Sequence, residues 1–370
     1  MLGQVFGKAI GLAIIPVVGL TLQAAAPSFA AAPAAPGAIA GEAGRLNRIV
    51  NGYVRHAGFR GAVLVARGDE VILNRGYGMA HPETRTPNTP QTRFMIGSLT
   101  KQFTAAAVLL LQDRGQLNLN DPLCKYWPEC PAAWAPITLA QLLEHTSGIP
   151  NFLELPEMQT YHLAVRNPDE TIGLVRDKPL EFQPGTRKHY CSTGYLLLGR
   201  IIERLSGEPF GVFLRKHILS PLEMADSGYL PSDLYIPHLA GLFEKRPGSE
   251  RVYSALPWSQ ILHFSSGGMY STVGDLFRWE RALFGGRVMS SAAFTQMTTD
   301  YGNGYGFGLG IGQLDVHRTY RHLGIVEGFA SSMTYVPDTD TTVIVLSNVR
   351  SPDAEVLGDE LLRAIHTGGR

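Results

Sequence analysis

The sequence predicts a mixed α/β protein of the α+β kind, with one antiparallel sheet built from both chain ends, flanked by helices, and an all-helical region between. Three observations carry this. Period-two apolar runs begin at Gly61 and return only after Tyr301. From about His81 to Gly286 the apolar spacing is helical, with long loops. The 370 residues suffice for a large core and one or two domains, and strands at both ends with helices between imply one sheet rather than a string of domains.

Gly61–Ala66 (GAVLVA) and Glu70–Arg75 (EVILNR) are β-rich, and Arg67-Gly68-Asp69 between them reads as a hairpin turn. Phe94–Gln112 reads as a short extended entry, then Ser98 heading an apolar helix that Gly115 can close. Leu139–Leu143 starts a helix that breaks at Glu144-His145-Thr146-Ser147-Gly148. Thr193–Leu205 is helical and stops at Ser206-Gly207. Thr272–Leu283 is a further helix, with Thr272 as its cap and Asp275 as the acidic partner three residues on. Strands are expected at Tyr305–Ile311, Tyr320–Leu323, Ala330–Val336 and Thr341–Leu346, and a closing helix at Asp353–His366. The sheet part is thus 45–80 with 300–368, and the helical part 81–299.

The first 30 residues read as an export signal: Lys8, the apolar run Ala9–Leu22, and the small-x-small site Ser28-Phe29-Ala30. The run is short for a membrane span and contains Pro16, so no stable span is expected after cleavage. Residues 31–44, rich in Ala, Pro and Gly, read as a flexible linker, and the domain as 45–368. The expected location is periplasmic or secreted, an oxidising compartment in which Cys124 and Cys130 either bridge or stay as two thiols. Cys191 reads as a small buried filler. Lys+Arg and Asp+Glu balance at 32 each, which gives no reason to expect nucleic acid as a partner.

Three stretches carry chemistry. Ser98 and Lys101, three apart at a helix start, share a face, where desolvation and the positive helix end both lower a lysine's proton affinity. Tyr190 follows a Pro-Gly turn and precedes a helix; a phenol beside a lysine can act as general base or donate to a leaving group. His322-Leu323-Gly324 ends a strand, and the backbone N–H of Ile325 can join that of Ser98 around an oxyanion. Taken singly, each has a plainer reading: a capping serine with a surface lysine, a core-edge tyrosine, an ordinary polar histidine.

Together they resemble a known family. FMIGSLTKQFTAA, LLEHTSGIPN, FQPGTRKHYCSTGYLLLG, SSGGMYSTVGDLFRW, GYGFGLG and HLGIVEGF occur in the order found in serine β-lactamase-related proteins: class C β-lactamases, D-alanyl-D-alanine carboxypeptidases, D-aminopeptidases and related esterases. The likeness runs from about Arg45 to Asn348. It implies a β-lactamase/transpeptidase-like fold with the site between sheet and helices, Ser98 as acylated nucleophile, activation by Lys101 and Tyr190, an oxyanion hole from the N–H groups of Ser98 and Ile325, and substrate contacts from Ser192, His322 and Gly324. Two positions depart from the family pattern. Ser192 stands where an asparagine is usual, and His322 where β-lactamases usually have lysine.

No G-x-S-x-G elbow, H-E-x-x-H or H-x-H occurs, so neither an α/β-hydrolase nor a zinc site is expected. His145 reads as structural, its ring bonding loop backbone, and Asp275 and Glu144 as cap and surface residues. The expectation is an exported serine hydrolase without metal or cofactor, acting on a small-molecule ester, amide or peptide, with esterase or D-amino-acid peptidase activity favoured. The alternatives are a class C-like β-lactamase and a non-hydrolytic penicillin-binding receptor or envelope-binding module.

Overall fold

The computed structural model describes residues 36–158, 167–229, 235–245, 252–255, 260–351 and 353–367. The export signal read at 1–30 lies outside them. The elements that frame the site are, in chain order, α1 (Pro36–His56), β1 (Gly61–Arg67), β2 (Glu70–Tyr77), α2 (Thr100–Asp113), α3 (Leu139–Leu143), α4 (Ser192–Ser206), α5 (Gln260–Gly267), α6 (Val273–Phe284), β3 (Gly310–Leu314), β4 (His317–Val326), β5 (Phe329–Val336), β6 (Thr341–Ser347) and α7 (Asp353–Thr367).

Six strands form one antiparallel sheet in the order β2-β1-β6-β5-β4-β3. Its centre joins the two ends of the chain, with Gly61 opposite Ser347 and Arg67 opposite Thr341. Strand alternation splits the apolar residues between two cores. Val63 and Val65 face Leu46 and Val50 of α1 and Leu357 and Leu361 of α7. Ala62, Leu64, Ile344 and Leu346 face the helical region. Both faces are covered, which is why β5 and β6 are buried along their whole length and read as unbroken runs.

Three expectations are corrected. The linker read at 31–44 is helical from Pro36, because Leu46 and Val50 dock fully buried on the sheet and the helix extends back from them. The strand expected at Tyr305–Ile311 begins only at Gly310. Gly304 and Gly308 take φ of +70° and +71°, and a Cβ on Gly308 would lie 2.6 Å from the carbonyl oxygen of Lys101, so this stretch crosses over α2 instead of extending. Thr272 caps α6 as expected, its hydroxyl accepting from the N–H of Asp275. The Asp275 carboxylate, however, turns away to accept from the N–H of Asp226 and the hydroxyl of Ser227, and is buried. The region between 81 and 299 is mainly helical but includes short β pairs, such as Phe94–Met95 with Tyr270–Ser271. Cys124 and Cys130 form a disulfide, and Cys191 is a buried free thiol.

Candidate active site

Ser98 lies in a 3-10 turn, Gly97–Leu99, that leads into α2. Two backbones meet there with no room for side chains. A Cβ on Gly97 would sit 2.9 Å from the nitrogen of Ile325, and one on Gly324 would sit 2.0 Å from the carbonyl oxygen of Ile96. Ser331 of β5 ties the contact by donating to the Ile96 carbonyl at 2.8 Å. Pairing of β3 with β4 runs only as far as Arg321, so residues 322–326 form an edge beside the serine turn. This brings the main chain of Ile325 next to that of Ser98.

Lys101 is completely buried. Its Nζ lies 3.1 Å from Ser98 Oγ, 3.2 Å from Ser192 Oγ and 2.8 Å from the carbonyl oxygen of Ser266 at the end of α5. Burial pulls its pKa down to about 7. A neutral amine has two hydrogens and one lone pair. The carbonyl of Ser266 only accepts and Ser192 can accept, so the lone pair is left for the Ser98 hydroxyl. Sequence reasoning missed the Ser266 carbonyl, since a main-chain partner leaves no mark in residue type.

Tyr190 packs beside the lysine, with Lys101 Nζ 4.9 Å from its ring centroid. Its hydroxyl bonds to the side chain of Ser98, yet burial drives its pKa well up, so the phenol keeps its proton. Of the two roles open to this tyrosine, proton donation fits the free protein. Ser192 lines the cleft but its hydroxyl is taken by Lys101, and its N–H donates to Asn151 Oδ1 at 3.2 Å.

His322 is buried, with Nδ1 donating to the Leu323 carbonyl at 2.7 Å and Nε2 accepting from the Tyr305 hydroxyl at 2.9 Å. Burial, then the charge of Lys101, lowers its pKa to about 3, so it is neutral. Tyr305 was not read from the sequence as a site residue. The glycine alternation of Gly304-Tyr305-Gly306-Phe307-Gly308, taken as a strand, was the signal of a loop that lays this ring on the site. His145 bonds backbone as expected.

The cleft, about 530 Å³, runs from Ser98 and Tyr190 to His322 and Ile325, with Leu153, Ile311 and Leu323 along its walls. Arg321 also lines it but pairs with Glu355 and, at 3.5 Å, with Asp359 of α7. Nearby, Glu154, Glu181 and His189 bring three ligand-type atoms within 4.8 Å of one another. They contact one another directly, His189 Nδ1 lying 2.6 Å from Glu181 and Nε2 3.4 Å from Glu154.

The family model described as Beta-lactamase matches residues 46–367. The chain belongs to the beta-lactamase family. Among relatives, a candidate penicillin-binding protein, PbpX, of Bacillus subtilis (strain 168) is 30% identical over 306 residues, or 82% of this chain and 74% of that one. The solved penicillin binding protein from Bacillus halodurans superposes with a TM-score of 0.75 at 26% identity, covering 87% of this chain and 98% of that one. The D-amino acid amidase from Ochrobactrum anthropi SV3 has the same fold, with a TM-score of 0.78 at 24% identity, over 89% of this chain and 100% of that one. The beta-lactamase-family match spans both parts of the sheet and the helices between. Among the described residues, no helix is long and apolar enough to cross a membrane.

Proposed function

We propose that this beta-lactamase-family protein is an exported hydrolase that cleaves an ester or amide through an acyl-enzyme on Ser98. The observation that carries the reading is the buried, weakly basic Lys101 with its amine 3.1 Å from the serine hydroxyl. Neutral Lys101 takes the proton of Ser98 Oγ as that oxygen attacks the carbonyl carbon. The N–H groups of Ser98 and Ile325 bind the oxygen that becomes negative. As the tetrahedral intermediate collapses, Tyr190 gives its proton to the departing oxygen or nitrogen and regains one from the Lys101 ammonium. Water then attacks the acyl-serine, giving up a proton to the same amine, which passes it to the departing Ser98 Oγ as the acid is released.

The cleft supports a substrate without a carboxylate beside the scissile bond. His322 is neutral, Arg321 is engaged by α7, and the walls are largely aliphatic. That favours esterase or D-amino-acid peptidase and amidase activity over a class C-like β-lactamase. Penicillin acylation of the same serine is the second reading, favoured by the names of the relatives. Intact-mass analysis with a fluorophosphonate and a labelled penicillin, beside turnover of p-nitrophenyl esters and a chromogenic cephalosporin, tests both. A fluorophosphonate adduct lost in Ser98→Ala, with ester turnover, is the expected result. No adduct at Ser98 with either probe would overturn the hydrolase reading, and fast cephalosporin turnover would overturn the preference among substrates.

A further inference from the structure

We infer that His145 is a positioning residue that fixes Tyr190 against Ser98; this rests on the acyl-enzyme reading above. Two main-chain donors bracket the tyrosine, and both end on this one histidine. The N–H of His189 donates to the His145 carbonyl at 2.9 Å, and the N–H of Cys191 donates to His145 Nδ1 at 3.1 Å. The imidazole also lies against the tyrosine ring, centroids 4.4 Å apart, and touches Tyr195 and Tyr305 at 5.2 and 4.8 Å. Tyr190 is therefore held at its backbone on either side and at its ring by one residue.

The local fold delivers His145 to this place. Thr138 and Gln141 form a reciprocal cap on α3, which ends at Leu143, and His145 turns the chain in the left-handed region at φ +62°. A non-glycine residue there is strained, and such strain persists where surrounding contacts over-determine it. Nδ1 sits between the Cys191 N–H at 3.1 Å and the Cys191 carbonyl oxygen at 3.2 Å, so either tautomer ties the ring to this backbone. Nε2 is buried without a hydrogen-bond partner among the described residues, a cost that a merely space-filling aromatic would avoid. Burial, then the charge of Lys101, holds the imidazole's pKa well below its ordinary value, so the ring is neutral. His145 does not itself line the cleft, and of the rings it touches that of Tyr190 is the one beside Ser98, so its effect on the chemistry is read against Tyr190.

The test is a double-mutant cycle with activity expressed per active site, the sites counted by complete labelling of Ser98 with a fluorophosphonate. His145→Ala should lower kcat per site about 10- to 100-fold, as expected when a catalytic group is displaced by about an ångström, with KM within about twofold. His145→Asn should restore kcat to within about fivefold of the parent, because its side-chain oxygen can accept from Cys191 N–H and asparagine tolerates positive φ. In a Tyr190→Phe background, His145→Ala should cost less than about twofold more, the signature of two residues acting as one unit. Unchanged kcat per site with only a lower yield or Tm would overturn the inference, as would effects that multiply in the double variant. If Tyr190→Phe alone leaves kcat unchanged while Ser98 still labels, the proposed role of Tyr190 fails first, and this inference falls with it.

Discussion

At the scale of single residues, the site works by withholding charge. Lys101, Tyr190 and His322 are all buried, and in each case burial favours the neutral form. In the proposed reaction Lys101 acts as the free amine, so acylation should gain with pH until the lysine has lost its proton. A kcat/KM profile with an ester substrate should rise about tenfold per pH unit on its acid limb and level off above about pH 7. A profile flat from pH 5 to 9 would remove Lys101 as the base. His322 should govern which substrates are refused. His322→Lys places a cation where the native ring has none, and a charge-assisted hydrogen bond of about 1.5–3 kcal/mol should improve substrates with a nearby carboxylate roughly tenfold or more relative to neutral ones. Paired kcat/KM values for neutral and carboxylate-bearing p-nitrophenyl esters read that ratio directly.

At the scale of elements, the decisive contact is the one between β4 and the serine turn. A methyl at 324 has nowhere to go, since it would lie 2.0 Å from the Ile96 carbonyl oxygen and 2.4 Å from Ser331 Oγ. Gly324→Ala should push the strand edge away from Ser98, cutting the rate of fluorophosphonate labelling at least tenfold while circular dichroism stays native. Equal labelling rates would show that the edge does not shape the site. The elements themselves were largely legible. Apolar β-rich runs foretold β1, β2, β5 and β6, helical spacing foretold α3, and a cap residue foretold the start of α6. What stayed hidden was decided by tertiary contact. The Gly-rich loop around Tyr305 has strand-like alternation, yet its positive-φ glycines let it cross α2. The start of α1 has linker-like composition, but Leu46 and Val50 anchor it. Of the residues gathered around the cleft, Ser98, Lys101, Tyr190, Ser192 and His322 were named from the sequence and Tyr305 was not. Nor was the hydrogen-bond assignment legible: Ser192 serves Lys101, and the lysine's strongest fixed partner is a main-chain carbonyl.

At the scale of the whole molecule, a sheet covered on both faces leaves little tolerance for charge, and Glu280 of α6 is an exception. It is fully buried, and burial pushes its pKa up to about 8, with Thr342 and Arg281 offsetting only part. A carboxyl raised in the folded state stabilises fully below its unfolded pKa, near 4.5, and that contribution is lost as pH climbs to about 8. Tm should therefore decline between pH 5 and 8, and Glu280→Gln, which mimics the protonated acid, should flatten the decline and stabilise by on the order of 1–3 kcal/mol at pH 8. A slope identical in parent and variant would exclude Glu280 as its source. The same sheet also sets a timetable. The pair that joins the two ends of the chain sets Gly61 opposite Ser347, 286 residues apart (347 − 61). At about 5–20 residues per second, synthesis must run on for tens of seconds after β1 appears before its partner β6 exists. The nascent chain spends that interval with the middle of its sheet open, and a chain cut short before Thr341 would never close it.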